Sequence, residues 1–319
     1  MFCMHILTLG SVMSDIVELR SDRPFRTVSS PSAFSVLVRL LLRDRAAVMG
    51  LVLVILWLGL ALFGPLLAPT DPNEQDLSMS LLPPAWEMGG VASYPLGTDH
   101  LGRDILTRIM YGARTSLVVG LASVGLSLIV GAMAGVVAGE GGGWVDDVLM
   151  RLADIQLAIP FILVGITMLA LFGQSTLNMI LVLMLFGWVI FARLVRSEVL
   201  ILREMEFIQA SRVLGAHRVW IVLYHLLPNV MGQIVVIGTL ELANVIIFES
   251  ALSFLGLGIR PPEVSWGTML ADGRDYLTVA WWVATFPGVA ITLTIVGVNL
   301  LGDWARDMLD PQFKSRLEL

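Results

Sequence analysis

Charge is what this sequence lacks most. Of its 319 residues only 14% are Asp, Glu, Lys or Arg, while 56% are hydrophobic and mean hydropathy is +0.83. Soluble domains carry roughly 25% charged residues. A deficit this large, combined with long apolar runs, places the chain in a bilayer. Cysteine is nearly absent as well. Cys3 stands alone, and a single thiol excludes an internal disulfide framework. The histidines His5, His100, His217 and His225 are scattered, form no HExxH and have no cysteine cluster beside them, so a zinc signature is missing. Lysine occurs once, as Lys314 after Phe313. A P-loop needs Gly-Lys-Ser/Thr to bring an amine to the phosphates, and that is excluded here. No G-x-S-x-G is present to build a nucleophile elbow. The chain is therefore expected to be no enzyme, to hold no cofactor or metal, and to bind no nucleic acid.

What is there is apolar length. A helical span needs about 20 mostly apolar residues. Six stretches qualify: 47–68, 115–138, 152–172, 177–195, 230–254 and 279–301, the last with Pro287 inside it. An even count puts both termini on one side. With the amino terminus inside, fifteen basic residues fall inside and five outside, the outer set being Arg103, Arg108, Arg114, Arg260 and Arg274. That asymmetry places both termini in the cytoplasm. The expected division is a cytoplasmic tail with a basic end (1–46), a first span with an outer segment (47–112), a five-helix core (113–302) carrying a loop at 203–229, and a second tail (303–319). MFCMHILTLGSVM lacks the basic start and cleavage site of a signal peptide, and Met13 is an alternative start.

Gly131-Ala-Met-Ala-Gly135 is a GxxxG that lets backbones approach, read as packing inside one bundle in preference to a dimer seam. Trp281 and Trp282 read as interface anchors. Outside, residues 69–112 open with turn chemistry and continue as PLGTDHLGRDILTRIMYGAR. With Thr98 or Asp99 as N-cap and Leu101, Ile105, Leu106 and Ile109 on one face, the pattern predicts an amphipathic helix on the membrane surface, with Asp104 and Arg108 as an exposed pair. Residues 256–278, rich in Gly and Pro, read as an ordered cap over the bundle mouth.

The stretch 207–229, FIQASRVLGAHRVWIVLYHLLPN, interrupts the apolar runs. Glu204 and Glu206 suit the positive end of a helix dipole. Gly215 suits the residue that ends a helix with positive φ, and Pro228 marks entry to the fifth span. A short helix outside the bilayer with an apolar stripe means either a partner or a passive linker on the membrane; pattern alone leaves both open.

Gln209-Ala-Ser-Arg-Val-Leu-Gly215, followed by Leu226-Leu-Pro228-Asn229, resembles the EAA loop of binding-protein-dependent ABC importer permeases, with Gln209 and Ser211 in place of the usual Glu and Ala. Pro95-Leu-Gly-Thr-Asp-His-Leu-Gly-Arg-Asp104 is similar to the signature of the dipeptide, oligopeptide and nickel branch, as are Leu252–Gly258 with Pro261-Pro262 and Ser265-Trp-Gly267. So are the ending Gly302-Asp303 to Asp310-Pro311 and the leading Arg39–Arg45, which point to the C-type member of the permease pair. The resemblance spans roughly residues 38–312.

It implies an all-α membrane protein, a type I importer bundle of six transmembrane helices with a cytoplasmic coupling helix, in a bacterial inner membrane. Its implied partners are a B-type permease, one or two cytoplasmic ATPase subunits holding ATP and Mg, and an extracytoplasmic solute-binding protein. Glu206, Phe207, Gln209, Ala210, Ser211, Leu214, Gly215 and Pro228 would form the ATPase-coupling loop. Gly97, Asp99, Gly102, Arg103 and Asp104 would form an outer structural motif. For Glu249, with Ser253, a place in the path or its gate stands against a buried helix contact; for Glu241 the helix contact is preferred. A self-sufficient secondary transporter and a scaffold with no path are the competing classes.

Overall fold

The computed structural model describes residues 39–309. Residues 1–38 of the tail expected over 1–46, and 310–319 of the tail expected over 303–319 with its Asp310-Pro311, lie outside the described residues. Residues 39–43 are helical and belong to a unit separate from the one that begins at Asp44. The helices in chain order are α1 (Arg45–Leu67), α2 (Ile105–Gly141), α3 (Gly143–Ala158), α4 (Phe161–Phe172), α5 (Thr176–Leu202), α6 (Glu206–Val213), α7 (Arg218–Leu257), α8 (Trp266–Gly273) and α9 (Trp282–Leu309). Apart from one isolated bridge, Thr98 to Asp104, no strand pairing occurs among the described residues.

Five helices, α1, α2, α5, α7 and α9, are long and apolar enough to cross a membrane. A sixth crossing exists only if α3 and α4 count as one span, and these meet at 89°. The expected straight helix over 152–172 is thus broken. Pro160 has no N–H to continue the ladder, and its ring pushes the preceding Ile159 into extended backbone (φ −99°, ψ 126°).

The bundle is built around α2 against α5. A side chain at Gly131 would overlap the backbone of α5 at Trp188, and a methyl at Gly135 would sit 2.6 Å from the Ala192 carbonyl. These two glycines are internal packing points, because only a bare Cα lets the helices come this close. Ser123 and Ser127 of α2 donate to the Ile180 and Met184 carbonyls of α5 at 3.5 and 3.3 Å, a second link across the same seam. Asp44 caps α1, accepting from the Ala46 and Ala47 amides at 2.8 and 3.3 Å.

At one end of the bundle Trp266 of α8 is fully buried, donates its indole N–H to the Ile109 carbonyl at 3.0 Å, and meets Trp57 edge-on at 4.9 Å. This end is the cap formed by 69–104 and 256–278. Two expectations change here. The surface helix expected from Thr98 does not exist: Ile105 and Ile109 are buried and belong to the first turns of the 37-residue α2, which runs unbroken into the span. Its N-cap is Asp104, accepting from Leu106 and Thr107, because Asp99 is committed elsewhere. Trp282 is buried and donates to the Thr98 carbonyl at 3.1 Å, so it is part of the core. Trp281 is the exposed one of the pair, donating to Glu87 at 3.2 Å.

Candidate functional site

α6 is eight residues long and lies between α5 and α7. Glu206 in its first turn and Arg212 in its last suit the helix dipole. It stops at Leu214, and Gly215 follows with φ +85°. There the Gly215 amide donates to the Arg212 carbonyl and the Ala216 amide to Ser211, both at 3.0 Å, closing the helix end with a residue that tolerates left-handed backbone.

One side chain seats this helix. Ile208 is fully buried in a cluster with Val199, Leu202, Ile221, Leu226 and Val230. Two arginines brace the seat. Arg212 donates through Nη2 to both carboxylate oxygens of Glu140 at the end of α2 (2.9 and 3.1 Å), and Arg203 donates to the Gly139 carbonyl at 2.9 Å. The outward face is bare: Val213 and Leu214 are each 87% exposed, Phe207 is 43% exposed, and Gln209 and Ala210 are exposed. Ser211 turns its hydroxyl onto the Phe207 carbonyl at 2.8 Å, and Gln209 donates to the Glu204 carbonyl at 3.2 Å. Pro228 sits in α7 just beyond the wider-wound stretch Val222–Leu226, at the second residue of the regular helix that resumes at Leu227.

At the opposite end, the expected motif residues Asp99 and Arg103 come together with Arg108 and with a partner that sequence spacing gave no sign of, Asp272 of α8. Asp99 accepts from the Leu101 and Arg103 amides (2.9 and 3.0 Å) and from the Arg103 side chain (2.7 Å), and it pairs with Arg108. Asp272 bridges the same two guanidinium groups at 3.1 and 3.2 Å. Burial works to raise the pKa of Asp99, but Arg108, Arg103 and the loop amides hold it below the usual carboxylate value. The Asp104–Arg108 pair expected to be exposed is instead buried and unpaired with each other: Asp104 caps α2 while Arg108 serves the two aspartates. Gly102 has φ +73°, and a side chain there would collide with the Asp76 carbonyl. Gly97 lends its carbonyl to the Ile105 amide at 3.2 Å. A cavity of about 270 Å³ opens beside this network, with Arg103, Arg108, Ser253 and Asp272 in its wall.

Below the cap, Glu249 of α7 is buried. Its Oε1 accepts from Ser253 at 2.9 Å and from Ser265, the N-cap of α8, at 2.7 Å, while Oε2 lies 3.4 Å from Ser250. Glu249 and Ser253 therefore meet as expected, and Ser265 and Ser250 complete the set. Glu241, two turns earlier, is separate from them.

Sequence reading passed over one further feature of α7. Asn229, Gln233 and Asn244 are all exposed, and at about 100° per residue they fall within about 60° of one another. A polar strip on a helix at bilayer depth is unsuited to lipid and faces water or protein. Individually these residues are unremarkable, and only the helix register aligns them.

Comparison with known proteins identifies relatives for this geometry. Residues 97–315 match the family described as binding-protein-dependent transport system inner membrane component, and residues 32–84 match the N-terminal TM domain of oligopeptide transport permease C. The chain is 41% identical over 272 residues to a di/tripeptide transport system permease protein DppC of Pseudomonas aeruginosa, covering 85% of this chain and 90% of that one. It is 44% identical over 273 residues to the dipeptide transport system permease protein DppC of Escherichia coli K12, covering 86% and 91%. A solved chain of the inward-facing MetNI methionine ABC transporter shares the fold, with a TM-score of 0.52 at 19% identity over 64% of this chain and 97% of that chain.

Proposed function

Since the chain belongs to the binding-protein-dependent transport system inner membrane components, in the oligopeptide permease C branch, we propose the following division of work within an importer. The protein is a multi-pass inner-membrane subunit and the non-catalytic permease of an ABC importer for dipeptides or oligopeptides. The energy comes from separate ATPase subunits, which hold the ATP and Mg. α6 is the element that meets them, with Glu206, Phe207, Gln209, Ala210, Ser211, Leu214, Gly215 and Pro228 forming the coupling loop.

The observation that carries this reading is the pairing of rigidity with exposure in α6. Ile208, Arg203 and Arg212 fix it to α2, α5 and α7, while Val213 and Leu214 stand 87% exposed with no core of their own chain to cover them. An apolar face held this firmly is a docking surface. Closure of the ATPases moves it as a rigid lever on α5 and α7. Alternating access requires contacts that differ between two states, and the docked helix supplies them.

A B-type permease closes the path against the α7 strip of Asn229, Gln233 and Asn244. A solute-binding protein docks on the cap, residues 69–112 and 256–278, where Gly97, Asp99, Gly102, Arg103 and Asp104 keep the surface in shape. Glu249 and Ser253, tied to α8 through Ser265, act as the gate post at that end. Both termini lie in the cytoplasm, on the α6 side. The division at 47–112, 113–302 and 303–319 with its loop at 203–229 is kept as a functional one, although α2 runs through residue 112 without a break.

Reconstitution tests the reading. Vesicles holding both permeases, the ATPases and loaded binding protein should take up peptide only with ATP. Uptake by vesicles that hold only this chain, or by the permeases without ATPases, would point to a self-powered transporter.

A further inference from the structure

We propose that a cavity between the α3–α4 bend, α5 and α7 is a membrane-depth binding site for a short zwitterionic peptide, with Glu241 receiving the free α-amino group and Arg193 the carboxylate. This rests on the peptide-importer reading above. The cavity has a volume of about 350 Å³ and is lined by Phe161, Phe186, Phe248, Val245, Glu241 and Arg193.

Glu241 is only 8% exposed, yet its acceptors are underused. Oε2 takes a single long bond from Asn244 at 3.3 Å, and among the described residues Oε1 has no hydrogen-bond partner. A buried carboxylate with a free oxygen facing a cavity is costly unless a donor arrives, and intramembrane acids of this kind mark substrate pathways. This contrasts with Glu249, whose oxygens are covered by three hydroxyls of its own chain.

The walls suit a cation. Phe161 packs on Phe186 at 4.8 Å and on Phe248 at 4.5 Å between ring centroids, giving one aromatic cluster beside the acid. Ring faces attract an ammonium within about 6 Å and supply apolar surface for side chains. The far end suits an anion. Arg193 is half-exposed and, among the described residues, is paired through one nitrogen with Asp154 alone, so the rest of its guanidinium fork is left to take a second carboxylate.

The spacing fits a peptide. A methyl at Gly187 of α5 would sit 3.3 Å from Oε1 of Glu241, and Arg193 lies six residues further along the same helix. At about 1.5 Å per residue that is roughly 9 Å along the axis. An extended dipeptide reaches about 7 Å and a tripeptide about 10 Å. The bend at Pro160 is what makes room, since a straight α3–α4 would lay its apolar face across the opening.

The test uses the assembled complex of both permeases and the ATPases in nanodiscs without binding protein. The probe is tritiated Ala-Ala, competed by unlabelled Ala-Ala, N-acetyl-Ala-Ala or Ala-Ala amide. Saturable binding is expected in the wild type, displaced by Ala-Ala and only weakly by the two blocked peptides. Glu241→Gln, which keeps shape, should weaken binding by at least ~10-fold, the loss of one charge-assisted contact, and Glu241→Asp should recover part of it. Leu157→Trp, placed at an exposed residue of the cavity rim, should weaken binding by filling the space with the carboxylate intact. In the complete importer Glu241→Gln should cut Ala-Ala uptake while permease abundance and co-purification of the ATPases stay at the wild-type level. Equal displacement by N-acetyl-Ala-Ala, no saturable binding by the wild type, or unchanged binding in both Glu241→Gln and Leu157→Trp would overturn the site. If the wild-type importer takes up no Ala-Ala with binding protein and ATP present, the peptide-importer reading itself fails; if it does and Glu241→Gln matches it, only the cavity assignment falls.

Discussion

Cutting Val213 and Leu214 back to alanine removes the bare face of α6 without touching its seat. Both side chains are 87% exposed, so the permease alone should lose no more than about 0.5 kcal/mol of stability. If the pair is buried against an ATPase, each truncation forfeits on the order of 1–2 kcal/mol of a full burial of about 1.5–3. Together that is roughly 2–4 kcal/mol, or about 30- to 1,000-fold in association, with neighbouring residues not strictly additive. The assay is co-purification of the ATPases with the double variant from solubilised membranes, alongside ATP-driven peptide uptake and immunoblotted permease abundance. Abundance should match wild type while retention of ATPase and uptake collapse. Ile208→Ala is the contrasting control: its side chain is fully buried, so about 2–5 kcal/mol of packing is lost and abundance should fall. Full ATPase retention and wild-type uptake by the double alanine variant would refute the docking argument, because no other apolar face of the loop stands so exposed on so rigid a base.

Gly215→Pro should abolish uptake with insertion intact, since φ +85° is closed to proline and the hydrogen bond from the residue 215 N–H to the Arg212 carbonyl is lost; normal transport in reconstituted vesicles would contradict this. Ala210→Asp, on the exposed face, should do the same. Gln209→Glu should be tolerated in uptake and ATPase co-purification, because the side chain is exposed and bonds only one carbonyl. Asp99→Ala should lower the stability of the complex by about 3–5 kcal/mol, read by thermal unfolding, because it leaves two buried guanidinium groups sharing Asp272. With its folded pKa depressed, Asp99 contributes fully above its unfolded value near about 4 and loses that contribution as pH falls through the lower folded value. The difference between wild type and variant should therefore be equal at pH 7 and pH 5 and shrink only in stronger acid.

Local chemistry was legible and partners distant in sequence were not. The helix before Gly215, its stop and the apolar spans follow from composition and spacing over a few residues. Pro160 was visible, but how far a helix turns at a proline depends on what packs around it. Asp99 and Asp104 offer the same carboxylate to a helix start, and only the arrival of two arginines decides that Asp104 caps. Asp272 sits beside Arg274 and Asp275, and nothing in that local spacing singles it out as the fourth member. Trp282 read as a membrane anchor because adjacent tryptophans at a span end look alike; at the start of α9 Trp281 stays outward while Trp282, the first helical residue, turns into the core.

The same four-charge cluster places a constraint on biosynthesis. Asp272 follows Arg103 and Arg108 by 169 and 164 residues, so a ribosome delivers the second carboxylate long after both cations. Until then the nascent chain carries one surplus positive charge at the mouth of a half-built bundle, and any polypeptide halted before residue 272 keeps it.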